Sequence, residues 1–205
     1  MKSSPRGPLG LVAIAGSAGA IGALREILSV LPADYPLPII VVRHRRARPR
    51  DLLPELLSHW CALPVRGVAP GQRITPGTVY MARPDLHLVV NPDRTFGLDD
   101  GRRINSLLSS ANPLFSTAAA VMGPVIGVVL SGHGGDATDG VQVVKAAGGI
   151  VVAQDEATAE HLAMPRAAIE SGAVDRVLPA ERIGPLLVEL GRREQPTACW
   201  KAPAR

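Results

Sequence analysis

The sequence predicts an α/β fold, doubly wound around a mainly parallel sheet with a small antiparallel hairpin. Short apolar runs rich in Val and Ile recur at residues 9–15, 38–42, 125–130 and 149–153, each with the length of a strand buried on both faces. Between them lie segments whose apolar residues fall at helical spacing. One further pair of runs, 86–90 and 94–98, brackets Asn91-Pro92-Asp93 and reads as a hairpin. A length of 205 residues fits one large domain better than two. With 46% apolar residues but only 3% aromatics, the core must be built from Val, Ile, Leu and Ala.

The elements follow in order. The strand at 9–15 runs into the turn Gly16-Ser17-Ala18-Gly19-Ala20. A helix follows over 21–31, with Ile21, Leu24, Ile27, Leu28 and Leu31 on one face, and Pro32 and Pro36 end it. The strand at 38–42 completes a βαβ unit, whose crossover is right-handed. Residues 43–50 form a basic loop and 51–60 a helix. Residues 65–81 hold short strands around Pro76-Gly77, and the hairpin comes next. A helix at 112–122 leads to the strand at 125–130 and the turn Gly132-His133-Gly134-Gly135-Asp136. The remaining pattern is helix 139–147, strand 149–153, helix 165–171, strand 174–178 and helix 182–190. The domain therefore spans 9–190, with short tails at 1–8 and 191–205.

Composition narrows the function classes. A net charge of +4 and a pI near 9.6 permit nucleic-acid binding, but the chain has no aromatic-basic platform and no zinc-finger spacing. No nucleic-acid partner is expected, and a preference for acidic protein partners explains the charge equally well. No apolar run reaches the roughly 20 residues of a membrane helix, so no membrane insertion is expected. The opening MKSSPRGPLG lacks the layout of a signal peptide, which makes a cytoplasmic location the expectation. Cys61 and Cys199 lie far apart and form neither a metal-ligand spacing nor a disulfide framework. No cofactor and no metal are expected.

In open α/β sheets ligands bind outside the carboxyl ends of the strands. Three loops leave such ends carrying polar groups. Ser17 sits where the first strand hands over to its helix, where a hydroxyl can face solvent beside the free N–H groups of a helix N-terminus. Taken alone, it reads as a helix N-cap serine, a very common use of the residue. His44 ends the neighbouring strand and has the chemistry of a general base for a serine hydroxyl, or of a solvated histidine. Asp136 follows the strongest buried strand and can orient a histidine, or close an Asx turn. Asp139 competes with it and reads as the cap of the next helix. His59 lies on a helix, His87 starts a strand and His161 lies in a loop. Gly16, Gly19 and Gly22 also fit, loosely, a dinucleotide turn, with the arginines after the second strand suited to a 2′-phosphate.

The chain resembles the catalytic domain of CheB-type chemotaxis methylesterases from about residue 9 to 190. AIAGSAGA is similar to that family's AIGAS-TGG segment, VVRH to its strand ending in Gln-His, and PGTVYMARPDLHL to PGxxYxAPxxxHL. VIGVVLSGHGGDATDG resembles GVxLTGMGxDGxxG. The stretch VVAQDEATAEHLAMPRAAIESGAVDRVLP matches AQDExTxxxxGMPxxAIxxGAVDxVLP almost residue for residue. Dinucleotide enzymes do not share that stretch, which sets the NADP reading aside.

The resemblance implies hydrolysis of glutamate γ-methyl esters on chemoreceptors, with deamidation of certain glutamines. It places Ser17 as nucleophile, His44 as base and acid, and Asp136 as the carboxylate that holds His44. Backbone N–H groups would form the oxyanion hole, with Ala18 beside the nucleophile and His133 and Gly134 on the facing loop. The sequence departs from the family at Ala18 (threonine), Ala20 (glycine), His133 (methionine), Ala137 (glycine) and Asn112 (an acid).

Arg43, Arg45, Arg46, Arg48 and Arg50 crowd the rim and read either as a dock for an acidic substrate or as a solvated loop. The expected partners are a methylated chemoreceptor or a related acidic signalling protein, and a separate regulatory partner. Such enzymes usually carry a receiver domain ahead of the catalytic one. Here the first strand begins at residue 9, so the expectation is an esterase without its own phosphorylation switch. The rival function from another class is a non-catalytic binding module of the same fold.

Overall fold

A computed structural model describes residues 7–45, 51–99 and 109–193. The residues called tails at 1–6 and 194–205, and Arg46, Arg48 and Arg50, lie outside the described residues. The elements are β1 (Val12–Gly16), α1 (Ala20–Ser29), β2 (Ile39–Arg43), α2 (Leu53–Ser58), β3 (Val65–Gly67), β4 (Val79–Met81), β5 (His87–Val90) and β6 (Phe96–Asp99). They continue with α3 (Asn112–Val121), β7 (Ile126–Val129), α4 (Thr138–Ala146), β8 (Ile150–Gln154), α5 (Ala163–Glu170), β9 (Arg176–Leu178) and α6 (Ala180–Arg193).

Seven strands form one sheet in the order β3-β4-β2-β1-β7-β8-β9, and every pairing in it is parallel. The hairpin β5-β6 stands apart as an antiparallel pair. The doubly wound reading is correct because alternate residues of each strand serve two layers. Val12, Ile14, Ile39 and Val41 pack with Leu24, Ile27, Leu28 of α1 and Ile183, Leu187 of α6. Ala13, Ala15, Ile40 and Val42 face the other way, against Leu114 and Phe115 of α3, Val141 and Val144 of α4, and the hairpin residues Leu88, Val90 and Phe96. The chain leaves β1 toward β2 on one side and returns to β7 on the other, so the order reverses at β1. That switch point opens a crevice at the carboxyl ends of β1, β2 and β7.

Some boundaries differ from the sequence expectation. α2 begins at Leu53 because the Asp51 carboxylate accepts the Leu53 N–H at 3.2 Å, closing a turn ahead of the helix. α6 begins at Ala180 and continues through Arg193, so the segment read as a tail from 191 starts with helix. Asp139 does not cap α4: the N-cap position is Ala137, and Asp139 lies in the first turn without a side-chain capping bond. The strands read within 65–81 are β3 and β4, which extend the parallel sheet beyond β2.

Candidate active site

Three strand ends bring the predicted residues together. Ser17 follows β1 directly; its N–H donates to the Ser131 carbonyl at 2.9 Å, tying it to the segment after β7. The N-cap position of α1 is Gly19, with φ of 75° and no side-chain capping bond, so Ser17 is not a helix cap. Small residues around it are required by space. A Cβ on Gly16 would stand 2.7 Å from the Ala20 Cβ, and one on Gly19 would stand 2.5 Å from Ser131 Oγ. His44 follows β2, and its N–H donates to the carbonyl of Gly16, the residue before the serine, at 3.0 Å. The histidine backbone is thereby fixed beside Ser17, and both side chains line one cleft of about 670 Å³.

Asp136 reaches the same place from the loop after β7. Its side chain is 1% exposed, and Oδ2 lies 2.7 Å from His44 Nε2. It accepts two more hydrogen bonds: the Ala111 N–H donates to Oδ2 at 2.7 Å and the Ser110 hydroxyl to Oδ1 at 2.5 Å. Burial alone would push this carboxyl up. The bonds from His44, Ser110 and Ala111, with the His44 charge, outweigh burial and hold it below the ordinary carboxylate range. Asp136 is therefore ionised at neutral pH. With Nε2 committed to Asp136, Nδ1 is the ring nitrogen left for the serine side of the cleft.

The sequence reading missed Ser110 and Ala111, and placed His87 only as the start of a strand. His87 is buried at the head of β5, and its Nδ1 accepts the Ser110 N–H at 3.0 Å. This fixes the turn that supplies two of the three donors to Asp136. Asn112, noted as a departure, accepts the Gly140 N–H at 2.8 Å and joins α3 to α4 just behind the aspartate. The signal that could have found Ser110 and Ala111 is the run Ser109-Ser110-Ala111 immediately ahead of the helix that Asn112 opens, a segment rich in local donors.

The loop after β7 wraps the serine. Gly132 donates its N–H to the His161 carbonyl at 2.9 Å, and the Ser131 hydroxyl donates to the Ala18 carbonyl at 2.8 Å while accepting the His161 N–H at 2.9 Å. His133 packs against His161, with ring centroids 4.1 Å apart and the planes tilted by 39°. Gly134 is exposed and adopts φ of 77°. Ala137, directly after the aspartate, holds φ of 72° although it carries a Cβ, a conformation that costs about 1–2 kcal/mol outside glycine.

Gly132 is the tightest of these contacts: a Cβ there would meet Met164 Sδ at 2.2 Å and the Ser17 Cβ at 2.8 Å. Gly132→Ala is expected to displace the serine, lowering kcat at least about 100-fold while costing only about 1–3 kcal/mol of stability. Kinetics alongside denaturant unfolding checks this. A variant with full activity would show that the serine position is not set by this contact.

Arg45 lines the cleft but does not present a free charge. Its guanidinium is paired with Asp51 and donates to the carbonyls of Ala82 at 3.0 Å and Arg43 at 3.1 Å. It braces the loop between β2 and α2. Among the described residues no group of three or more His, Cys, Asp or Glu is placed to hold a metal ion, and no helix is long and apolar enough to cross a membrane.

Comparison with known proteins decides the family. The model of the CheB methylesterase family matches residues 12–187. The chain belongs to the CheB methylesterase family. The Thermotoga maritima CheB methylesterase catalytic domain superposes with a TM-score of 0.86 at 34% identity, covering 89% of this chain and 98% of that one. A Caulobacter vibrioides relative named protein-glutamate methylesterase/protein-glutamine glutaminase 2 is 37% identical over 93% of this chain and 56% of its own length. The Myxococcus xanthus protein-glutamate methylesterase FrzG is 36% identical over 92% of this chain and 57% of its own. The chain thus spans about half the length of these two curated relatives. It covers 93% of a Leptospira interrogans relative, to which it is 38% identical. The CheB methylesterase match extends across all three strand ends that carry Ser17, His44 and Asp136.

Proposed function

We propose that residues 9–190 form a serine esterase that removes methyl groups from glutamate γ-methyl esters of a methylated chemoreceptor, acting in the cytoplasm, and deamidates glutamine by the same route. The observation that carries the reading is the buried Asp136 carboxylate 2.7 Å from His44, whose ring lines the cleft that Ser17 also lines. Family membership and the names of the Caulobacter and Myxococcus relatives support the substrate class.

The chemistry follows from the bonding. Asp136 accepts a hydrogen bond from Nε2–H, which keeps that proton on the ring and leaves the Nδ1 lone pair to take the proton of the Ser17 hydroxyl. Ser17 Oγ then attacks the γ-carbonyl carbon, and the carbonyl π electrons move onto oxygen. The Ser17 and Gly132 N–H groups are already committed, to Ser131 and His161. The oxyanion is therefore met by N–H groups further along each loop, at Ala18 and at His133 or Gly134. As the C–O bond to the methoxy group breaks, His44 returns its proton and methanol leaves. A water enters, gives a proton to His44 and attacks the acyl-serine; Ser17 is released with its proton restored, and the product is the glutamate carboxylate. With glutamine the first leaving group is ammonia.

A serine-directed fluorophosphonate tests the assignment. Wild type is expected to be labelled stoichiometrically at Ser17, as read by peptide mass spectrometry, and Ser17→Ala not at all. Label on another serine would overturn the assignment, and an unreactive wild type would favour a non-catalytic binding module.

A further inference from the structure

The cleft beside Ser17 and His44 contains a second feature that the ester chemistry leaves unused. Arg43 is the last residue of β2, paired in register with Gly16 of β1, and it lines the same cleft. Its Nε is buried and has no hydrogen-bond partner among the described residues. The counter-charge nearest in its electrostatics is Asp51, whose carboxylate is already bonded through both oxygens to Arg45. Arg45 in turn bonds the Arg43 carbonyl, which fixes a second cation beside the first. Burial and then the Arg45 charge both push the Arg43 guanidinium down from its usual value, and Asp51 only partly offsets them. An arginine has no way to shed this cost by deprotonating at neutral pH, so the arrangement stores an unmet demand for an anion.

The rest of the wall defines the partner. Leu52 and Leu56 are exposed large apolar side chains, and with Ile21 and Pro84 they line the same cleft as the polar groups. A polypeptide segment with one apolar edge and one acidic edge matches this surface. The methyl ester itself carries no charge, so an arginine gains no charge pairing from the reacting group. A free carboxylate close to it in sequence is what a guanidinium would read.

Resting on the esterase reading, we infer that Arg43 forms a carboxylate subsite, which selects glutamate methyl esters that have an unmethylated glutamate or aspartate about one helical turn away. Arg45 is the brace that holds the subsite in place rather than a docking charge. The chain would thus act preferentially on receptor segments that are partly demethylated already, because each ester removed creates the carboxylate that recruits the enzyme to its neighbour.

The test uses two synthetic methylated receptor peptides that differ at one position, a glutamate or a glutamine one helical turn from the γ-methyl ester. Wild type is expected to cleave the glutamate peptide with about tenfold higher kcat/KM, through KM, the size of one charge-assisted hydrogen bond at a cleft rim. Arg43→Gln is expected to bring the ratio of the two peptides to about one, and Arg43→Lys to keep part of it. The ratio is read within each variant, so a general loss of activity does not affect it. A wild-type ratio near one, or a ratio that survives in Arg43→Gln, would overturn the subsite while leaving the esterase reading intact. Failure of wild type to cleave either peptide would overturn the esterase reading and the subsite with it.

Discussion

Ser17→Ala and His44→Ala are each expected to lower kcat on a small carboxylic ester by roughly four to six orders of magnitude, with the double variant no more than a few-fold worse than either. The reason is that neither group acts alone. The serine hydroxyl is a weak nucleophile until its proton moves to the ring, and the ring has no reaction to serve without the hydroxyl. Ser17→Ala should unfold within about 1 kcal/mol of wild type, because Ser17 is only half-buried and its backbone bond to Ser131 is kept. His44→Ala should lose about 1–3 kcal/mol, because it removes one partner of the buried Asp136 carboxylate. Steady-state kinetics with denaturant titration separates the two effects. Losses that multiply in the double variant would mean that Ser17 and His44 do not work as a pair.

Asp136→Asn is expected to be costly in two ways. The carboxylate accepts from His44, Ser110 and Ala111, and an amide in its place turns an NH2 group toward at least one of these donors. A buried mismatch of this kind costs about 1–3 kcal/mol for each donor left unpaired. The ring loses the partner that keeps the proton on Nε2, so the wrong tautomer faces Ser17, and kcat should fall by about four orders of magnitude.

Linkage gives a separate signature. The carboxyl is held below its unfolded value, so its contribution to stability is complete above the unfolded pKa, about 3.9, and is lost as pH falls through the lower folded value. The stability difference between wild type and Asp136→Asn should be constant from neutral pH down to about pH 5 and shrink below about pH 4. A difference that stayed constant to pH 2 would show that the carboxylate charge is not what these bonds stabilise.

Much of this architecture is written in short-range patterns. Buried parallel strands read as apolar runs, and polar residues that interrupt such runs at strand ends stand out, which is why Ser17, His44 and Asp136 could be singled out together. What escaped depends on packing between distant segments. Ser110 meets Asp136 across 26 positions and His87 across 23, through the seating of α3 and the hairpin on one sheet face, and no local periodicity encodes that. Arg45 reads as a surface charge in a basic run, yet Asp51 six residues later takes it up. β3 and β4, three residues each, are too short for a period to show, and they stand in reversed order at the sheet edge. Asp139 resembles a helix cap by type, but the left-handed turn at Ala137 starts α4 without a side-chain cap. The two kinds of site residue differ in the same way: the proposed reacting groups stand out one loop at a time, and their supports only once the layers are assembled.

The most direct measurement of the central claim is methanol release from a chemoreceptor fragment carrying glutamate γ-methyl esters, followed side by side with wild-type protein and Ser17→Ala. The arrangement of Ser17, His44 and Asp136 predicts one methanol for each ester lost with wild type, and release by Ser17→Ala no faster than spontaneous hydrolysis. Equal release by the two proteins, or no release above the spontaneous rate by wild type, would contradict it.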